Sequence, residues 1–107
     1  MKAFHPIPGS TVSIAATSTS ANIAIPTAAL LATSVRVVIT SGTAFARIRS
    51  GVGNTTTATS LTANVGGDPA VLPTSVECFS INAGDTYIAA KTDAGTCTVE
   101  FTFGFGA

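Results

Sequence analysis

Few residues in this sequence of 107 could do chemistry. There is one histidine, His5, with two cysteines, five acids and five basic residues. A histidine base must sit within hydrogen-bond reach of the proton it takes, and a third group must orient it. His5 lies in "FHPIPGS", where prolines interrupt the chain and nothing local would hold an imidazole in place. Asp68, Asp85 and Asp93 fall in "GGDP", "AGDT" and "TDAG". These are turn contexts, in which Asp is favoured by bonds to its own backbone. Glu77 and Glu100 alternate with other residues in strand-like runs. A glycosidase-type pair would need two carboxylates to converge in a cleft, and nothing in the spacing brings that about. A structural zinc site takes four ligands, more than Cys78, Cys97 and a remote His5 supply. "SGVGN" (Ser50–Asn54) lacks the third glycine of a dinucleotide fingerprint and the lysine of a phosphate loop. We therefore expect no enzyme, no metal and no cofactor. For the two cysteines two states stay open. They are a disulfide if their strands are neighbours, or reduced, buried thiols in a cytoplasmic product.

One run suits recognition better than catalysis. In "TAFARIR" (Thr43–Arg49), Ala44, Ala46 and Ile48 share one face of a strand, and Phe45, Arg47 and Arg49 the other. That second face is either a solvated sheet surface or a protein contact, since aromatics and arginine are enriched in interface cores. Stacking on single-stranded nucleic acid would also need a basic groove.

The elements that position these residues read as strands. Period-two alternation runs through "TVSIAA", "ANIAI", "SVRVVIT", "TAFARIR", "SVECFSI", "TYIAAK" and "TCTVEFTF". A further strand is expected around Thr57–Thr62. Gly, Asn, Asp and Pro punctuate the runs. The one helical candidate is "PTAALLAT" (Pro26–Thr33), two turns at most, or else a loop tucking Leu30 and Leu31 inward. About eight short strands without crossover helices predict an all-β fold. It would be a single antiparallel sandwich, jelly-roll-like, or a small barrel. Residues 1–10 are expected to form an extended arm, because Pro6 and Pro8 bias the residues before them toward extended backbone. Residues 11–107 would be the sandwich. In the last strand Cys97, Val99, Phe101 and Phe103 share the core face. Phe105, between two glycines, lies where the sheet should be ending.

Composition narrows the partners. Charged residues make up 9% of the chain, against roughly 25% in ordinary soluble domains. Net charge is zero, and five basic residues cannot build an electrostatic footprint for nucleic acid. Duplex binding and capture by anionic lipid are not expected. No apolar run approaches the ~18 residues of a membrane span, and the start lacks the uninterrupted apolar run of a signal peptide. A neutral surface offers little colloidal repulsion, so association with neighbours is expected.

From Ser34 onward the chain resembles a known group. "SVRVVITSGTAFARIRSG" and "AVLPTSVECFSINAGDTYIAAKTDAGTCTVEFTFGFG" are similar to small all-β virion proteins of tailed bacteriophages. The likeness rests on Val35-Arg36-Val37, the strand with Phe45 and Arg47, Pro73 before Val76-Glu77, Ile88-Ala89-Ala90 and a glycine-bounded last strand. Similar proteins often close on Gly-acid-Gly, where this one has Gly104-Phe105-Gly106. The resemblance implies a capsid decoration or cement protein, made in the host cytoplasm and carried in the virion. Its partners would be the major capsid protein or other virion proteins, and a homo-oligomer, such as a trimer, fits that role. A tail, neck or fibre component is the alternative, and a carbohydrate-binding module using Tyr87 is a third. Expected contact residues are Phe4 and His5 of the arm, Phe45, Arg47 and Arg49 of the strip, and Phe103 and Phe105 of the last strand.

Overall fold

The computed structural model describes residues 4–59 and 67–106. Among them are nine strands: β1 (His5–Pro6), β2 (Val12–Ala16), β3 (Ala21–Ala24), β4 (Ser34–Gly42), β5 (Ala46–Gly51), β6 (Ala70–Val71), β7 (Val76–Ser80), β8 (Tyr87–Thr92) and β9 (Cys97–Phe105). They form two antiparallel sheets packed face to face, an all-β sandwich. One sheet runs β1-β9-β4-β7, with β2 also paired to β9; the other runs β3-β8-β5-β6. Alternation along each strand supplies the core. Val35, Val37, Val99, Phe101 and Phe103 line it from the first sheet, and Ala46, Ile48, Ile88 and Ala90 from the second. Each buried Phe contributes about 1.5–3 kcal/mol relative to exposure, which makes β9 the strand that anchors the fold.

The first sheet joins the two ends of the chain. β1 pairs with the end of β9, His5 opposite Phe105 and Pro6 opposite Gly104, and β2 pairs with Cys97–Phe101. Between them Ile7-Pro8-Gly9-Ser10 turns away from β9. Ser10 N–H closes the turn on Ile7 C=O at 3.2 Å, and Gly9 takes φ +75°. This is the type II arrangement, with Pro second and Gly third. The turn would leave the Phe103 N–H and C=O without partners on the β1/β2 side of β9, its other neighbour being Val35 of β4. Instead Ile7 N–H donates to Phe103 C=O at 2.9 Å. The Ser10 hydroxyl donates to the same carbonyl at 2.9 Å and accepts from Phe103 N–H at 3.2 Å. Ser10 is accordingly buried. The expected arm is thus docked from Phe4 onward, and what it docks on is the chain's own last strand. Gly104 permits this, because a Cβ there would run into the His5 carbonyl and lie 2.9 Å from the Phe4 ring.

Other expectations shift. The Pro26–Thr33 candidate is a single 3-10 turn, Thr27–Ala29. It buries Ile25, Ala29 and Ala32 against the core and leaves Leu31 out in solvent. The strand expected around Thr57–Thr62 is absent over Thr57–Thr59, and its remainder lies outside the described residues. Cys78 and Cys97 do not meet: β4 lies between their strands. Cys78 stands opposite Arg36 on the exposed face, while Cys97 is buried. Both are free thiols, and burial pushes the Cys97 thiol above its usual range.

Candidate interaction surface

The Phe45/Arg47/Arg49 strip begins just before β5 at Phe45 and continues along it with Arg47 and Arg49. Here the long connection after β5 folds back over it. Arg47 donates from Nη1 to Asp68 C=O at 3.1 Å and from Nη2 to Asp93 Oδ2 at 3.0 Å. Its guanidinium lies 5.3 Å from the Phe45 ring centre, within cation–π range. Arg49 Nε pairs with Asp68 Oδ1 at 3.0 Å. The other Asp68 oxygen accepts from Thr59 N–H at 2.8 Å, and Asp68 N–H donates to Thr59 C=O at 2.9 Å. Asp68 therefore closes the base of the 59–68 segment and ties it to the sheet. Farther along, Asn22 Nδ2 donates to Asn54 and Thr56 carbonyls at 2.7 and 3.1 Å, and Ser20 Oγ accepts from Ala58 N–H at 2.9 Å. Ala89, on the outward side of β8, is fully buried. The strip is thus an internal clamp. Arg47 is largely buried, and Arg49 keeps about half its side chain in solvent.

The remaining expected contact residues separate. Phe103 is core, with no exposed surface, so it cannot touch another molecule. Its side chain points between the sheets, and its backbone is used up by Ile7 and Ser10. Phe4 is half-buried and His5 exposed. No described residue hydrogen-bonds the His5 imidazole, and no group of three or more His, Cys, Asp or Glu among the described residues could hold a metal. Asp85 is buried, but its Oδ2 accepts from Ser50 Oγ at 2.8 Å and Asn82 N–H at 3.3 Å. That is the work of a turn staple. Phe105 is different. It continues the row of Phe101 and Phe103, yet 44% of it is exposed. Ile25, Ala29, Ala32 and Phe103 belong to the core, and Phe105 does not.

Among the described residues four other large apolar side chains are exposed: Leu31, Val52, Leu72 and Val76. Leu31, Val52, Leu72 and Phe105 sit at the two ends of the sandwich, while Val76 pairs with Val38 at the middle of β4, on the outward face of the first sheet. At the Phe105 end a network of loops forms a platform. Gly84 N–H bonds Leu30 C=O at 3.1 Å, Thr33 N–H bonds Gly104 C=O at 3.1 Å, and Ile81 N–H bonds Thr33 C=O at 2.9 Å. Thr86 N–H bonds Gly51 C=O at 2.9 Å, and Gly53 N–H bonds the Thr86 hydroxyl at 2.8 Å. The platform presents Leu31, Val52 and Phe105. The opposite end carries Leu72. It also carries a groove of about 210 Å³ where β2 and β4 flank the start of β9, lined by Ala15, Ala16, Ser41, Gly42, Cys97 and Thr98 among others. No charged side chain lines it. The sequence marked Phe105 as hard to place. It gave no sign of the groove, whose residues come from three distant strands.

No family model matches this chain, and no curated protein matches it. Among solved structures it is similar to a chain from work described as "Bacillus endospore appendages form a novel family of disulfide-linked pili". The TM-score is 0.46 and the identity 17%, over 90% of this chain and 84% of that one. At that distance the likeness carries no argument about what this protein does.

Proposed function

We propose that this protein is a bacteriophage virion structural protein that decorates the head shell and stabilises it by bridging adjacent capsid subunits. The observation that carries this reading is the placement of exposed apolar side chains. A domain with zero net charge leaves five large apolar side chains among the described residues in water, four of them at its two ends and Val76 on the outer face of the first sheet. Leu31, Val52 and Phe105 share one end, and it is their grouping there, more than exposure of any one of them, that supports a neighbour covering that end. The strand resemblance from Ser34 onward supplies the phage setting. The mechanism is binding alone: a rigid sandwich, its chain ends locked to each other, adds apolar contact that must be lost before shell subunits separate.

The test is quantitative mass spectrometry of purified particles, together with pull-down of the pure protein by empty shells. Hundreds of copies per particle are expected. A dozen or fewer would move the protein to the neck or tail, and none in the particle, with no shell binding, would refute the reading.

A further inference from the structure

β7 is the last strand of its sheet, paired to β4 on one side and to no described residue on the other. We infer that this free edge docks an extended segment of a partner protein, which adds to the sheet as a further strand. The segment brings a small aliphatic side chain for the cleft between the sheets and a lysine or arginine for Glu77. Such docking goes beyond the virion reading and does not depend on it.

The backbone of β7 is open to a new strand. Ile81 N–H donates to Thr33 C=O at 2.9 Å. Bonded pairs recur at every second residue of an antiparallel ladder, so Phe79 and Glu77 also spend their backbone groups on β4. The N–H and C=O groups of Val76, Cys78 and Ser80 therefore point away from β4. That is the donor and acceptor row that strand addition uses. Val76 itself is 62% exposed on the outward side of this edge.

The inward side of the same edge selects what can be added. A cleft of about 110 Å³ lies between the sheets there, lined by Val35, Ile48, Phe79, Ile81 and Ile88 among others. Arg49 also lines it, and its charge is met by Asp68 at 3.0 Å. A cavity of about 150 Å³ holds benzene, so this one suits about four carbons, a valine or leucine side chain. Glu77 stands opposite Val37, whose side chain is in the core, so its carboxylate is on the inward side too. It is exposed, and no ion pair among the described residues uses it. An inward-turned charge at an edge turns most strands away, and it admits one that carries the opposite charge at the facing position.

Every strand pair in this protein is antiparallel, and the added strand is assigned the same direction. Its residues opposite Phe79 and Glu77 then form non-hydrogen-bonded pairs, with Cα atoms about 4.5 Å apart and side chains in contact. Read from its N-terminus, the segment is aliphatic-x-Lys or aliphatic-x-Arg. A second copy's β7 does not meet this requirement. Paired antiparallel about Cys78, it would set each Glu77 against Phe79 and leave both carboxylates without a cation.

The probe is a capped synthetic peptide, Thr-Thr-Val-Thr-Lys-Thr-Thr, titrated to millimolar concentration into the isotope-labelled full chain and followed by NMR. It should shift the Val76, Cys78 and Ser80 amides and slow their exchange with solvent. Replacing its lysine by glutamate should weaken binding roughly threefold to tenfold, the scale of cross-strand charge pairs. Glu77→Lys, with circular dichroism and melting temperature unchanged, should reverse that preference. Replacing the valine by aspartate should abolish binding. So should methylating the nitrogen of the residue between valine and lysine, which faces Cys78. No binding at millimolar peptide, shifts that leave β7 untouched, equal affinity for the lysine and glutamate peptides, or an N-methylated peptide that binds as well would each overturn the inference. Broadening of the β7 amides with protein concentration, in the absence of peptide, would overturn it too by showing a second copy at the edge. None of these outcomes bears on copy number in the particle or on shell binding, so the virion reading stands or falls separately.

Discussion

Removing the Ser10 hydroxyl should destabilise the fold out of proportion to the single atom lost. Its oxygen is both donor and acceptor to Phe103, at 2.9 and 3.2 Å. In Ser10→Ala the Phe103 carbonyl keeps its bond from Ile7 N–H at 2.9 Å. The Phe103 N–H keeps nothing, and it is buried between β1 and β2, where the Pro8-Gly9 turn has carried the neighbouring backbone away. A buried donor left unsatisfied costs about 1–3 kcal/mol. That is a large share of the 5–15 kcal/mol typical of a whole domain, and at roughly 4–8 °C per kcal/mol it is easily read in a melting curve. The assay is urea denaturation followed by circular dichroism, comparing midpoints at a common slope. The matched control is Thr11→Ala, whose hydroxyl bonds Thr102 at 3.0 Å on the exposed face and whose loss should stay within about 0.5 kcal/mol. If Ser10→Ala and Thr11→Ala moved the midpoint equally, with the slope unchanged, the hydroxyl would not be completing the β9 ladder.

Gly104→Ala should peel β1 from β9, since the new methyl group meets the His5 carbonyl and the Phe4 ring; hydrogen exchange would show early loss of protection at the Ile7 amide while β4 amides stay protected. Asp68→Ala should loosen the connection after β5 at a cost of about 1–2 kcal/mol, mostly through the Thr59 N–H. The Arg49 pair is half exposed and adds little, so the clearer readout is faster tryptic cleavage at Arg49. Of the two thiols, Cys78 should react at once with a disulfide reagent and Cys97 far more slowly in the folded protein. The raised Cys97 pKa also has a sign: the folded state holds that proton after the unfolded chain has released it. Its stabilising contribution is whole below the unfolded value near 9.0 and is lost as pH climbs through the folded one. Cys97→Ala should therefore show a shallower alkaline loss of stability than wild type.

The sandwich was legible where alternation and a core face coincide. In β9 the period-two run of Cys97, Val99, Phe101 and Phe103 states both the strand and its buried side, and β4 and β8 do nearly as well. Signals failed where tertiary partners decide. β6 is two residues after Pro69, too short for any period. Thr57–Thr59 has the β-branched composition of a strand, but Ala58 N–H bonds the Ser20 hydroxyl and Thr59 bonds Asp68, partners that sequence spacing does not reveal. The Arg47/Arg49 strip read as outward because its partners, Asp68 and Asp93, are 19 to 46 residues away. Phe103 and Phe105 are indistinguishable by alternation; only how far the core extends along β9 separates a buried residue from an exposed one.

Salt separates the two kinds of surface that result. The sheet faces carry Arg36, Glu100, the Arg47–Asp93 and Arg49–Asp68 pairs and, of the exposed apolar side chains, Val76 alone, while the ends present Leu31, Val52, Phe105 and Leu72. Contact through the faces would rest on exposed charges, and these are screened beyond about 10 Å at 0.1 M salt. Contact through the ends would rest on apolar burial, which sodium chloride barely changes and which sulfate strengthens. Shell binding should accordingly hold steady across a sodium chloride titration and rise in sodium sulfate. A steep fall with sodium chloride would place the contact on the faces, and it would leave the exposed phenyl ring at the end of β9 without the role its position gives it.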